Sequence, residues 1–206
     1  MTASYNEFIR QYKMTGSEKA DGYSRNVFVG LDEGEKEEVF GILLTEIPYS
    51  AKWLFFLDAE RALPIIKGKE EMWRGDKYKH IYILQEILID YTGDLSYQVR
   101  MIEDYPTYAD YLRAYVVDAV GRTPVNASQV DFLRQVILTE TDTGAVARAA
   151  RHFLDAVKLP RVTDEDKVRY SRLVTNLRSN NTAVKEKALG EIRKYELAVL
   201  SGDGTS

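Results

Sequence analysis

Along most of this chain apolar residues return every three or four positions, and almost nowhere do they alternate with polar ones. That spacing belongs to helices with one buried face, not to half-buried strands. The clearest run is Val184, Ala188, Ile192, Tyr195 and Val199, at spacings of 4, 4, 3 and 4. Before it, Tyr170, Leu173, Val174 and Leu177 share a face, and Ser179-Asn180-Asn181-Thr182 supplies a polar turn. The best strand candidate, Asn26-Val27-Phe28-Val29, is too short and isolated to build a sheet. An all-α protein is expected.

Helix starts and stops can be read in the same way. Asp32 is placed to cap a helix whose first turn carries Glu33, Glu35, Glu37 and Glu38, where the positive end of the dipole favours acids. That helix runs through Val39, Phe40, Leu43 and Leu44 and stops at Pro48. Ser50 starts another through Trp53, Leu54, Phe56 and Leu57, with an end expected between Pro64 and Gly68. A helix from about Asp76 to Tyr91 is stopped by Gly93. In the second half, Thr107 with Asp110, Asn126 with Gln129 and Thr163 with Asp166 have the spacing of capping boxes, each after a proline: Pro106, Pro124 and Pro160.

Short strings recur. Phe56-Leu57-Asp58-Ala59 returns as Phe153-Leu154-Asp155-Ala156, with a softer copy at Val116-Val117-Asp118-Ala119. Ala145-Val146, Ala150 and Leu154 match Ala183-Val184, Ala188 and Ile192 at an offset of 38, and Val117 to Leu154 is an offset of 37. Recurrence at one helix pair per period marks helical repeats. The chain resembles a HEAT-like repeat protein over roughly Leu31 to Leu200. The closest pair is Gln129 to Val157 with Val168 to Tyr195, although the mid-helix proline of many such repeats is missing. The resemblance implies stacked antiparallel hairpins, an α-solenoid or α-α superhelix, with a surface for gripping a partner. A compact irregular bundle would use the same periodicities. The implied layout is an N-terminal segment over 1–30 packing on the stack, a helical domain over 31–200 and a disordered tail over 201–206.

Composition narrows the function classes. The 206 residues are 45% hydrophobic and 29% charged, and contain no cysteine, which excludes disulfides and thiolate metal sites. No apolar run reaches the roughly 18 residues that span a bilayer, and the first residues lack the pattern of a secretory signal, so a cytoplasmic protein is expected. Net charge is −4. Residues 1–157 carry 25 acids against 18 bases, whereas 158–206 carry 7 against 10. The acidic larger part disfavours nucleic acid, whose binding rests on neutralised phosphates.

Catalytic motifs are missing from the sequence: there is no Walker loop, dinucleotide glycine pattern, nucleophile elbow or zinc-binding histidine pair. His80 and His152, the two histidines, read as helix residues. Carboxylate pairs such as Glu103-Asp104 and Glu140 with Asp142 sit at inferred helix ends, where solvated acids are common. The expectation is no enzyme, no cofactor and no metal.

What stands out is tyrosine. Of 14 copies, Tyr97, Tyr105, Tyr108, Tyr111 and Tyr115 fall within 19 residues, interleaved with Glu103, Asp104 and Asp110. Tyrosine gains interface area at low entropic cost, and neighbouring acids attract a basic partner. These eight residues are the candidate partner-binding site, although the rings could equally thicken the core. The leading expectation is a non-enzymatic module that sequesters a basic protein, its concrete form being a bacterial immunity protein that neutralises a toxin. Two alternatives stand beside it. One is a HEAT-like DNA-binding protein or DNA glycosylase using the basic stretch Lys158 to Lys194. The other is a structural adaptor in a larger assembly.

Overall fold

A computed structural model describes residues 1–15 and 22–200; the expected tail over 201–206 lies outside the described residues, as does the side chain of Val199. Eleven α-helices and two 3-10 segments form among the described residues, and no strand does. The helices divide into two compact units, Met1–Met72 and Trp73–Ser206.

The first unit holds α1 (Ala3–Tyr12), a 3-10 turn (Arg25–Phe28), α2 (Glu33–Leu44), α3 (Ala51–Leu57) and nearly all of α4 (Ala59–Trp73). The expected capping box at Asp32 is complete: its carboxylate accepts from Glu35 N at 2.8 Å, and Glu35 returns a bond to Asp32 N. The strand candidate at Asn26 is the 3-10 turn instead, and it buries Val27 and Phe28. Phe28 stacks on Trp53 at 4.7 Å and lies 5.8 Å from Phe8, which joins three elements through one aromatic cluster. Ser50 precedes α3 as expected, but its hydroxyl donates to Leu43 O rather than capping. The end expected between Pro64 and Gly68 does not occur, since the helix runs to Trp73. The chain breaks at Asp58, whose carboxylate accepts from Arg61 N at 3.0 Å and starts a fresh helix that runs on through Pro64.

The second unit continues with α5 (Ile81–Thr92), α6 (Ser96–Asp104), a 3-10 turn (Tyr105–Thr107), α7 (Asp110–Arg122), α8 (Ala127–Thr139), α9 (Thr143–Ala156), α10 (Asp164–Leu177) and α11 (Thr182–Leu200). Gly93 ends α5 with φ at 71°, the left-handed conformation that a residue with a Cβ resists. α5 begins five residues later than expected, because Asp76 accepts from Tyr78 N in a local turn. Thr163 and Asp166 form the expected box on α10. Asn126 caps α8 through Gln129 N at 2.9 Å, but the Gln129 amide turns inward to Val120 O and Thr123 O. Thr107 does not cap α7; its hydroxyl donates to Asp104 O, and α7 starts after Ala109 without a side-chain cap.

Two hairpins, α6–α7 and α8–α9, lie side by side with like helices parallel. On one layer Gln98 meets Asn126 and Tyr105 meets Phe132; on the other Tyr115 meets Arg148 and Gly121 meets His152. Contacts that advance together along both helices require them to run the same way. Helix starts recur after 31 residues from Ser96 to Ala127 and after 33 from Asp110 to Thr143, a shorter period than the matched strings gave. The third hairpin breaks the pattern. α10 packs mainly on α9 and α11 on α8, and α11 runs antiparallel to α8, since Lys185 reaches Ile137 while Glu196 pairs with Arg134. The hairpin whose sequence looked most like a repeat of its predecessor is therefore docked with its helices exchanged, its second helix rather than its first lying on α8.

Polar groups fix that docking. Lys185, almost fully buried, donates from Nζ to Ile137 O at 2.6 Å, which places a cation on the carbonyl end of α8 where the helix dipole favours it. α9 closes with Leu159 N donating to Leu154 O and Lys158 N to Asp155 O, which puts Lys158 at φ 53° with no glycine to ease the bend.

Candidate partner-binding surfaces

The five clustered tyrosines separate into two groups. Tyr97 and Tyr108 are buried, and Tyr105 is 9% exposed, while Tyr111 is 61% and Tyr115 49% exposed. The division follows from α7, whose inner face is Leu112, Val116, Val117, Ala119 and Val120. Tyr111 and Tyr115, one turn apart, stand on its outer face. Tyr108 lies before the helix and packs edge-on against Tyr82 at 6.1 Å. The acids divide as well. Glu103 is exposed and Asp104 nearly buried, and both engage Arg74, with Asp104 held at 2.9 Å and 3.0 Å. Asp110 is exposed at the start of α7, 3.6 Å from Arg113. The structure therefore does not bring the eight predicted residues together on one surface.

The outer row on α7 continues past the tyrosines as Asp118 and Arg122, at successive turns of the helix. Arg148 of α9 lies over the Tyr115 ring at 5.3 Å and pairs with Asp118. His152 Nε2 is 2.9 Å from the second Asp118 oxygen, and Arg122 makes a two-pronged pair with Glu86 of α5 at 2.5 Å and 2.7 Å. Burial, followed by the positive charges of Arg122, Arg151 and Arg148, holds His152 below its ordinary pKa. A Cβ on Gly121 would overlap the His152 ring, so the glycine lets the imidazole lie against the α7 backbone. Sequence reasoning found the two tyrosines but missed Asp118, Arg122, Arg148 and His152. Their i, i+3 and i+4 spacing was visible, but their meeting across two helices was not.

Tyr105 belongs to a different feature, a trough of about 630 Å³ between α6 and α8. Its phenol donates to Glu140 Oε2 at 2.7 Å, and its ring meets Phe132 edge-on at 5.1 Å. Glu140 also accepts from Thr141 N at 2.7 Å, Asp142 N at 3.0 Å and Arg113 Nη1 at 3.4 Å. Burial alone would raise the Glu140 pKa; the bonds from Asp142 N, Tyr105 and Thr141 N, with the Arg113 charge, outweigh it and hold the carboxyl below its usual range. Burial and then the Glu140 bond push the Tyr105 phenol up, so it stays protonated as a donor. This cluster fastens the α8–α9 turn to the end of α6. Among the described residues no group of three histidine, aspartate or glutamate side chains is arranged to hold a metal ion.

Comparison of the chain with protein-family models, curated proteins and solved structures gives no match. No helix among the described residues is long and apolar enough to cross a membrane. A functional reading therefore rests on the geometry alone.

Proposed function

We propose that this chain is a non-catalytic protein-binding module that grips a basic partner protein through the outer face of α7 and α9. The observation that carries this reading is the exposure of Tyr111 and Tyr115 in one row, adjoining the ordered pairs of Asp118, Arg148 and His152. Exposed stiff rings beside immobilised polar groups lose little freedom on binding, which is what an interface anchor requires. Glu86 and Asp118 are neutralised by Arg122 and Arg148, which leaves exposed Asp110 at the head of the row and exposed Asp90 on the α5 side as its acids, and the chain as a whole carries −4. Both features favour encounter with a cationic protein.

The parallel stacking of α6–α7 on α8–α9 supports the HEAT-like reading for these four helices. In that reading the closely packed α7–α9 pair forms the inner side of a curve and the wider α6–α8 pair the outer side, so the tyrosine row faces a hollow. A basic toxin held inactive by its immunity protein is the concrete case we propose. The basic residues of the last two helices give the nucleic-acid alternative less support. Arg172 is paired with Glu191 at 2.6 Å and 3.0 Å, Arg169 bonds to Tyr195, and Lys185 is buried.

A photo-reactive phenylalanine analogue placed at 111, 115, 49 or 91 tests the reading, because all four positions are exposed tyrosines. Expression beside neighbouring gene products should give one cross-linked protein of basic composition from 111 and 115 and none from 49 and 91. Equal labelling from all four positions, or none from any, would sink the proposal.

A further inference from the structure

The trough between α6 and α8 opens away from the tyrosine row: Arg113, on its wall, lies about 200° around α7 from Tyr111. The Tyr105 and Phe132 rings form its floor with Ile102 and Val136. Phe132 and Val136 are themselves in the core, so the floor is rigid and mainly apolar. One wall is the exposed ridge of α8, where Ser128, Asp131 and Gln135 follow at successive turns. A hollow of about 630 Å³ takes a few side chains, not a folded surface.

Charge selects what those side chains are. Glu140 already accepts five hydrogen bonds, and Arg113 is engaged by Glu140 and Asp110. Asp131 remains: it is exposed at the rim and makes no ion pair or side-chain hydrogen bond among the described residues. The lining holds Asp131 and Glu140 against Arg113, and Asp110 adjoins it, so the trough favours a cation over an anion.

We propose that the trough docks a short segment of a partner protein in which an apolar side chain lies within one helical turn of a lysine or arginine. The apolar group rests on Tyr105 and Phe132, and the cation sits beside Asp131. The site is separate from the α7 row, so a partner could use it alone or as a second point of attachment.

Selection of a random phage-displayed peptide library on the full chain tests this. Recovered peptides should pair a large apolar residue with a nearby lysine or arginine. By fluorescence anisotropy, their affinity should fall roughly tenfold for Asp131→Lys. Gln135→Trp, which crowds the trough, should abolish binding, whereas the Tyr111→Ala/Tyr115→Ala double variant should bind unchanged. Asp131 and Gln135 are exposed, so the variants should keep the helical circular dichroism of the parent. Recovery of no peptide, or of peptides that bind Asp131→Lys and Gln135→Trp as well as the parent, overturns the proposal. Peptides weakened only by the tyrosine variants overturn it too, while supporting the α7 reading.

Discussion

The α7–α9 and α6–α8 pairs are equivalent in topology and opposite in packing. Each joins matching helices of two successive hairpins, running parallel. α7 and α9 close together where side chains are small: Ala114 faces Gly144, and Gly121 leaves room for the His152 ring. α6 and α8 are kept apart by Tyr105 and Phe132, and the trough lies between them. Side-chain volume at the contact sets the distance between helix axes. The same supersecondary unit thereby presents a closed polar face on one side and an open hollow on the other.

The largest expected effect comes from the end where the wide pair is held together. Gln98, fully buried, donates to Thr123 Oγ1 at 2.6 Å and Pro124 O at 3.0 Å, and accepts from Asn126 Nδ2 at 2.6 Å. These bonds tie α6 to the turn that starts α8, so the pair is joined at one end and spread at the other. Gln98→Leu keeps the approximate volume and removes three bonds across the pair: to buried Thr123, whose hydroxyl keeps only Val120 O, to the amide of half-buried Asn126 and to Pro124 O. A loss of about 3 kcal/mol in urea denaturation is expected. A loss below about 1 kcal/mol would mean that the amide network does not hold the wide pair together.

The close pair should respond to one methyl group. Gly121→Ala gains about 1 kcal/mol of helix propensity but drives a Cβ into the His152 ring, so a net loss of about 1–2 kcal/mol is expected. Gly190→Ala in α11 meets nothing within 4 Å and should instead stabilise by up to about 1 kcal/mol. Adding His152→Ala to Gly121→Ala should recover part of the loss. If both glycine variants behave alike, close approach is not what brings α7 and α9 together.

A smaller effect should appear on acidification. The folded Glu140 carboxyl lies below its ordinary pKa, so its contribution to stability is full above the unfolded value and is lost as pH falls through the folded one. The parent should therefore lose more stability between pH 5 and pH 3 than Glu140→Gln does, measured by thermal unfolding across that range. Parallel pH curves would show that Glu140 does not fasten the α8–α9 turn through its charge.

How far the sequence foretold these features depended on whether they were local. The boxes at Asp32 and Thr163 and the stop at Gly93 involve residues within one turn, and the sequence displays them directly. Thr107 had the same spacing and failed, because Asp104 O was a nearer partner and Pro106 bent the chain into a 3-10 turn. The strings at 116–119 and 153–156 lie within helices, whereas Phe56-Leu57-Asp58-Ala59 spans the break between α3 and α4, and a match between Gln129–Val157 and Val168–Tyr195 says nothing about which helix each will face. That choice lies with Lys185 and Glu196, two charges on the α8-facing side of α11. Among the tyrosines, periodicity placed Tyr108, Tyr111 and Tyr115 on one face, but Tyr108 lies before α7 and is buried, so only the other two share it. It did not tell an outward face from an inward one for Tyr97, Tyr105 and Tyr108, whose burial depends on partners as distant as Phe132 and Glu140.

The smallest effect on stability is also the one most informative about function. Tyr111 is exposed and has no ring contact or hydrogen bond among the described residues, while Tyr115 has only the Arg148 guanidinium above it. Tyr111→Ala should change stability by less than about 0.5 kcal/mol, and Tyr115→Ala by no more than about 1 kcal/mol, the worth of an exposed cation–π contact. An exposed ring that contributes so little to the fold is free to contribute to an interface, where truncating a central tyrosine costs about 2 kcal/mol or more. The double variant should therefore unfold at nearly the parental denaturant midpoint yet lose about thirtyfold or more in affinity for the protein cross-linked at 111. A large stability loss would show that the rings serve the α7–α9 contact itself, and unchanged affinity would move the interface elsewhere. Only stability kept and affinity lost together fit a face whose packing is complete without its tyrosines.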